Sequence, residues 1–292
     1  MSVDNNNGMS PSTLGTAVAF TVPYAMKKTI IPNVTSQALS RMYKVNASLS
    51  QPEKDVLEKA ADEALKLAKV DKKGVKFERV NEHTVLSQPE QAVIDAIEKS
   101  KLPKRLKEIR KETLLPKYCA MKGHTAFFNA ITNVITYNKE KLPLAAFHEI
   151  GHSMNKFYSH VGKSFQHIRM KNRKTAGVIS MLALLAPSKT EQNMKPQTND
   201  DKLIGKFRDY SGLLVAGAMA PTVIEEGMAS YKGNKLAKKL LNPELLKKVK
   251  TTNLAGFITY AVSPIVLGLG TYLGVQAKNN IIAHNVTNTK KV

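Results

Sequence analysis

The chain has 292 residues, 42% of them apolar, which suffices for one large domain or two small ones and excludes global disorder. Its one cysteine, Cys119, excludes a disulfide-built scaffold and fits a reducing compartment. The net charge of +21 gathers in clusters at 101–111, 169–174, 232–250 and 290–291. No helix-turn-helix, zinc-finger or RNA-binding signature accompanies them, so no nucleic-acid partner is expected, and two clusters flank apolar segments, which points to membrane lipid instead.

The first twelve residues carry Asp4 and no Lys or Arg, and do not read as a secretory signal. Residues 1–45 are expected to be a poorly structured lead with an apolar stretch at 14–26, short for a bilayer span and interrupted by Pro23. Residues 46–115 read as a helical region. Ser50-Gln51-Pro52-Glu53 is a capping box with proline at the first helical position, followed on one face by Val56, Leu57, Ala60, Ala61, Ala64, Leu65 and Ala68. Ser87-Gln88-Pro89-Glu90 repeats the box ahead of Val93, Ile94 and Ile97. The flanks differ, so two similarly capped helices are expected rather than a repeat. Between them, 74–80 alternates like a short strand, and 101–113 predicts a basic helix with a solvated or lipid-facing side.

Residues 116–235 carry the candidate site. Strands are expected at 117–121, 125–129 and 133–138, with a helix starting near Pro143. Apolar segments at 175–187 and 211–224 are short for spans and read as buried or partly inserted helices. Residues 236–292 comprise a basic helix, an apolar stretch at 254–277 and a tail. That stretch holds 24 residues without a charge, long enough to cross a bilayer, where its Pro264 and glycines are tolerated.

The chemistry centres on Ala145-Ala146-Phe147-His148-Glu149-Ile150-Gly151-His152-Ser153-Met154. This is H-E-x-x-H. On a helix, positions i and i+4 share a face, so His148 and His152 can reach one Zn²⁺ while Glu149 lies beside them as a general base. Leu144, Phe147, Gly151 and Met154 supply a packing face. The strands at 125–129 and 133–138 could form a hairpin whose edge runs beside this helix, where a peptide or protein substrate can add as a further strand.

A catalytic zinc takes three protein ligands. Asn155 and Tyr158 stand where a second pattern would need glycine and histidine. His160 lies about 12 Å beyond His152 along a continued helix, and His167 follows Gly162 after a chain reversal. The better candidate is Glu226 in Ile224-Glu225-Glu226-Gly227-Met228-Ala229-Ser230-Tyr231, a carboxylate followed by small residues that can line a second helix packed closely against the first, with the adjacent Glu225 as its competitor. Tyr231, Tyr210, Arg208, His160 and His167 are candidates to stabilise an oxyanion.

The pairing of H-E-I-G-H with a later E-G-M-A-S resembles the gluzincin metallopeptidases, and within them the membrane-bound HtpX and CAAX prenyl protease relatives and the bacterial neutral zinc metallopeptidases. The resemblance covers residues 123–231. It implies an α+β, mainly helical, zincin-like core with a small sheet, Zn²⁺ held by His148, His152 and Glu226, and Glu149 as the catalytic base. It places Ser230 where many members carry an aspartate that orients a histidine ligand. Seventy-three residues lie between His152 and Glu226, a spacing that suits the membrane branch with apolar helices inserted between the motifs. The expected activity is metal-assisted peptide hydrolysis at a membrane. The dense basic cluster at 232–250 places the site on the cytoplasmic side. A zinc-binding membrane protein with a structural or vestigial site is the alternative.

Overall fold

Both capping boxes begin helices. The Ser50 hydroxyl accepts from Glu53 N–H while the Glu53 carboxylate accepts from Ser50 N–H, and Glu90 closes the same reciprocal cap on Ser87. A third box, Ser188 with Glu191, opens a short helix that periodicity does not reveal. The computed structural model describes residues 10–194 and 196–289; residues 1–9 of the expected lead and the basic pair Lys290 and Lys291 lie outside them. The described residues are mainly helical, 79%, with one small sheet among them, as the α+β, mainly helical expectation has it.

In chain order the elements are α1 (Pro11–Ala47), α2 (Gln51–Leu67), β1 (Lys76–Val80), α3 (Gln88–Lys99), α4 (Lys104–Leu114), α5 (Pro116–Met121), β2 (Phe127–Asn129) and β3 (Val134–Asn138). One 3-10 turn, Asp71–Lys73, precedes β1, and another, Pro143–Ala145, leads into α6 (Ala146–Tyr158), followed by α7 (His160–Leu185), α8 (Lys189–Asn193), α9 (Asn199–Leu240) and α10 (Pro243–Thr289). The chain divides into two units of interleaved segments, one from 1–36, 167–223 and 259–292, the other from 37–166 and 224–258.

The second unit contains the sheet. Its order is β1-β3-β2, with β1 parallel and β2 antiparallel to the central β3. The apolar face of α2 packs on Ile135 and Tyr137 of β3 and on Leu144, Phe147 and Ile150 around the start of α6. Val56 is the exception on that face and stays 48% exposed. Asn46 ties three segments of this unit: its amide donates to Met42 O and Thr252 Oγ1, and its carbonyl oxygen accepts from Leu144 N–H. Edge strand β2 lies against α6, as expected for the hairpin. The Lys156 ammonium of α6 holds the hairpin turn by donating to Ala130 O and Asn133 Oδ1.

Two expectations are corrected. Residues 117–121 form α5, not a strand. Pro116 presets the first turn, and Ala120 and Met121 bury one face on Val80, Leu86 and Phe127, which outweighs the alternating pattern. Residues 11–45 are not an unstructured lead but lie in α1, with Pro23 and Pro32 inside it. An internal proline costs about 3 kcal/mol. Close packing in the first unit offsets this: a Cβ on Gly274 of α10 would stand 2.5 Å from Ala19 O, and one on Gly270 would stand 2.9 Å from Pro23 Cα.

The first unit is built from α8 and segments of α1, α7, α9 and α10. Ala19 packs with Ala183, Leu184 and Val275, and Ala176 packs with Val215 and Met219. Backbones also meet at Gly212 and Gly268. Large apolar side chains point outward from the same helices, among them Leu182 at 50%, Leu213 at 73% and Ile265 at 65% exposure. Among the described residues, one helix, 243–288, is long and apolar enough to cross a membrane.

Candidate metal centre

The site is built where α6 and α9 touch, and all of its residues belong to the second unit. Gly151 is the first reason. A Cβ there would stand 2.0 Å from Ala229 O, so only glycine lets the two backbones meet. Gly233 repeats the device from the other helix, with a Cβ position 2.3 Å from Phe147 O. The contacts run antiparallel. His148, Gly151, His152 and Asn155 of α6 face Gly233, Ser230, Ala229, Glu226 and Glu225 of α9. Each helix thus offers a stripe at i, i+3, i+4 and i+7.

This close approach brings short side chains together. Nε2 of His148 and Nε2 of His152 are 3.0 Å apart, and Oε2 of Glu226 lies 3.1 Å from the first and 3.4 Å from the second. Two imidazole nitrogens and a carboxylate oxygen at such separations form the face of a small tetrahedron. Tetrahedral bonds of about 2.0–2.1 Å put ligand atoms roughly 3.3 Å apart, so the donor triangle fits a zinc-sized ion. The three residues are the group expected to converge, and Glu226 rather than Glu225 points at the shared position.

Both histidines are oriented from behind. Nδ1 of His148 meets Ser230 Oγ at 3.1 Å, and Nδ1 of His152 meets Glu225 Oε1 at 2.7 Å. A partner at Nδ1 fixes the ring and leaves Nε2 for a metal. Glu225 is itself held by the Asn155 amide at 2.9 Å and the Gln166 amide at 2.9 Å, and Asn155 in turn accepts from the Lys232 ammonium at 2.7 Å. The sequence alone presents Glu225 only as a rival ligand, Asn155 only as a break in a second zinc pattern, and Gln166 and Lys232 not at all. The signal for Glu225 was there: on a helix it lies about 100° round from Glu226, as a carboxylate serving the far side of a ring must.

Glu149 is 5% exposed and follows His148 on α6. In the metal-free chain, burial pushes His152 toward losing its proton, but the carboxylates of Glu226 and Glu225 outweigh it and raise its pKa well above the ordinary value. Desolvation also pushes Glu225 up, while hydrogen bonds from His152, Asn155 and Gln166 bring it below the usual carboxylate range.

The other candidates are not brought to the cluster. His160 and His167 are exposed on α7. Arg208 is buried in the first unit, where it donates to Pro187 O and Gln192 and pairs with Asp209. Tyr210 and Tyr231 are 60% and 66% exposed. Known proteins give no further guide, since the chain matches no protein-family model, no curated protein and no solved structure.

Proposed function

We propose that this chain is a zinc-dependent metalloendopeptidase of gluzincin type, working at a membrane. The observation that carries the reading is the donor triangle of His148, His152 and Glu226 with an oriented ring on both histidines and a buried carboxylate, Glu149, next in sequence to the first. A bound zinc ion supplies Lewis acidity, which polarises a carbonyl and acidifies water. Glu149 takes the proton of the attacking water and returns it to the leaving amine. Ser230 and Glu225 keep the two rings turned toward the shared position. Edge strand β2 offers backbone groups to an extended peptide or protein substrate.

Membrane association is supported by three features of the first unit and the helices that form it. These are the apolar stretch of α10, helices packed through glycine backbones, and large apolar side chains turned outward. The basic cluster at 232–250 favours a site facing the cytoplasm.

The test uses the full chain purified in detergent. The expected result is bound zinc and cleavage of an unfolded peptide that a chelator stops and added zinc restores. Zinc retention without any cleavage across a panel of unfolded and membrane substrates would instead favour a structural site.

A further inference from the structure

We propose that Glu112, Cys119 and His124 form a second metal site that takes a zinc-like, borderline-soft divalent cation. The site shares no residue with the His148 cluster and does not depend on the peptidase reading. A thiol sulfur, an imidazole nitrogen and a carboxylate oxygen lie within 4.8 Å of one another, with His124 Nδ1 2.9 Å from Glu112 Oε1. Thiolate and imidazole together select zinc-like ions over magnesium or calcium.

The backbone builds this convergence. Helix α5 ends in a left-handed glycine, Gly123 at φ 79°. Gly123 N–H donates to Ala120 O at 2.8 Å and His124 N–H to Cys119 O at 3.1 Å, so the chain folds back and sets His124 over Cys119. No other residue fits the turn, because a Cβ on Gly123 would also stand 2.6 Å from Lys141 Cβ. From α1, the Tyr43 hydroxyl donates to His124 O at 3.1 Å and holds the returning chain in place. Glu112 comes from the last turn of α4.

Charge points the same way. A carboxylate beside a half-buried thiol is unfavourable for a nucleophile but suits a divalent cation held between them. The His124 and Glu112 side chains are 50% and 32% exposed, which leaves an entry path and room for water as a fourth ligand. Such an ion would clip the end of α4 to α5 and to the segment entering β2.

Cys119 is the chain's one cysteine and the His148 cluster has no sulfur, so a sulfur-specific probe reports on this site alone. Cobalt(II) is titrated into metal-stripped full-length protein. The expected result is an intense near-ultraviolet thiolate-to-cobalt absorption, and loss of one equivalent of bound metal in Cys119→Ser with that absorption gone. His124→Ala, a change at an exposed side chain that leaves the thiol in place, should weaken cobalt binding at this absorption about tenfold or more. Absence of the absorption in the unaltered chain overturns the proposal, as does an unchanged titration in His124→Ala.

Discussion

At the level of single residues, the proposed reading gives Glu149 and Glu225 separable roles. With Glu149 as the proton acceptor, Glu149→Gln leaves the donor triangle intact, so turnover should fall by about 100-fold or more while zinc content is unchanged. Glu225→Gln leaves the triangle too, but weakens the hold on the His152 ring; zinc affinity should drop by about 10- to 100-fold, measured by competition with a chelating dye. Acidity acts on the same ring. Burial opposes the charge on metal-free His152, but Glu226 and Glu225 raise its pKa above the ordinary value, so a metal competes with a proton for this ring. Zinc affinity should therefore decline as pH is lowered. Stability of the metal-free chain should run the opposite way: the contribution of protonated His152 is full below its unfolded value near 6.5 and fades as pH climbs through the raised folded value. Melting the metal-free protein across pH checks that sign.

The decisive element is the α6–α9 contact. Gly151→Ala would press a methyl group into Ala229 O and drive the helices apart, costing about 1–3 kcal/mol or more and loosening the metal site with it. Gly177→Ala on α7 meets nothing within 4 Å and should be neutral or stabilising by up to about 1 kcal/mol. Comparing the melting temperatures and zinc content of the two variants distinguishes packing from helix propensity. Much of this contact is legible in the sequence. H-E-x-x-H fixes its own face by helical periodicity, and Glu226 followed by Ala229 marks the partner stripe. The hidden parts are those where a residue's role depends on another helix. Nothing local tells that Gly233 abuts Phe147, or that Asn155, standing where another zinc pattern has glycine, anchors Glu225. Likewise 117–121 alternates like a strand, yet a proline at its start and a neighbouring apolar patch fold it as α5.

For the whole molecule, the outward-facing apolar side chains of the first unit set the expected behaviour. The protein should sediment with membranes, resist extraction by high salt or alkali, and be released by detergent. Release by salt alone would assign binding to its basic clusters and not to its apolar helices.

On the proposed reading, the interleaving of the two units would give a bound metal a further effect. The chain departs from the second unit after Gln166 and re-enters it at Ile224, so α6 and α9 stand at either end of the excursion 167–223. An ion shared by His152 and Glu226 would tie the neck of that loop. In polymer terms it is a cross-link closing about 75 residues, and ideal loop closure assigns such a tie about 4 kcal/mol through the entropy denied to the unfolded chain. Stripping the ion should then lower the melting transition of the Glu149→Gln variant as much as that of the unaltered chain, because such a tie acts on the chain's topology whether or not a peptide bond is ever cut.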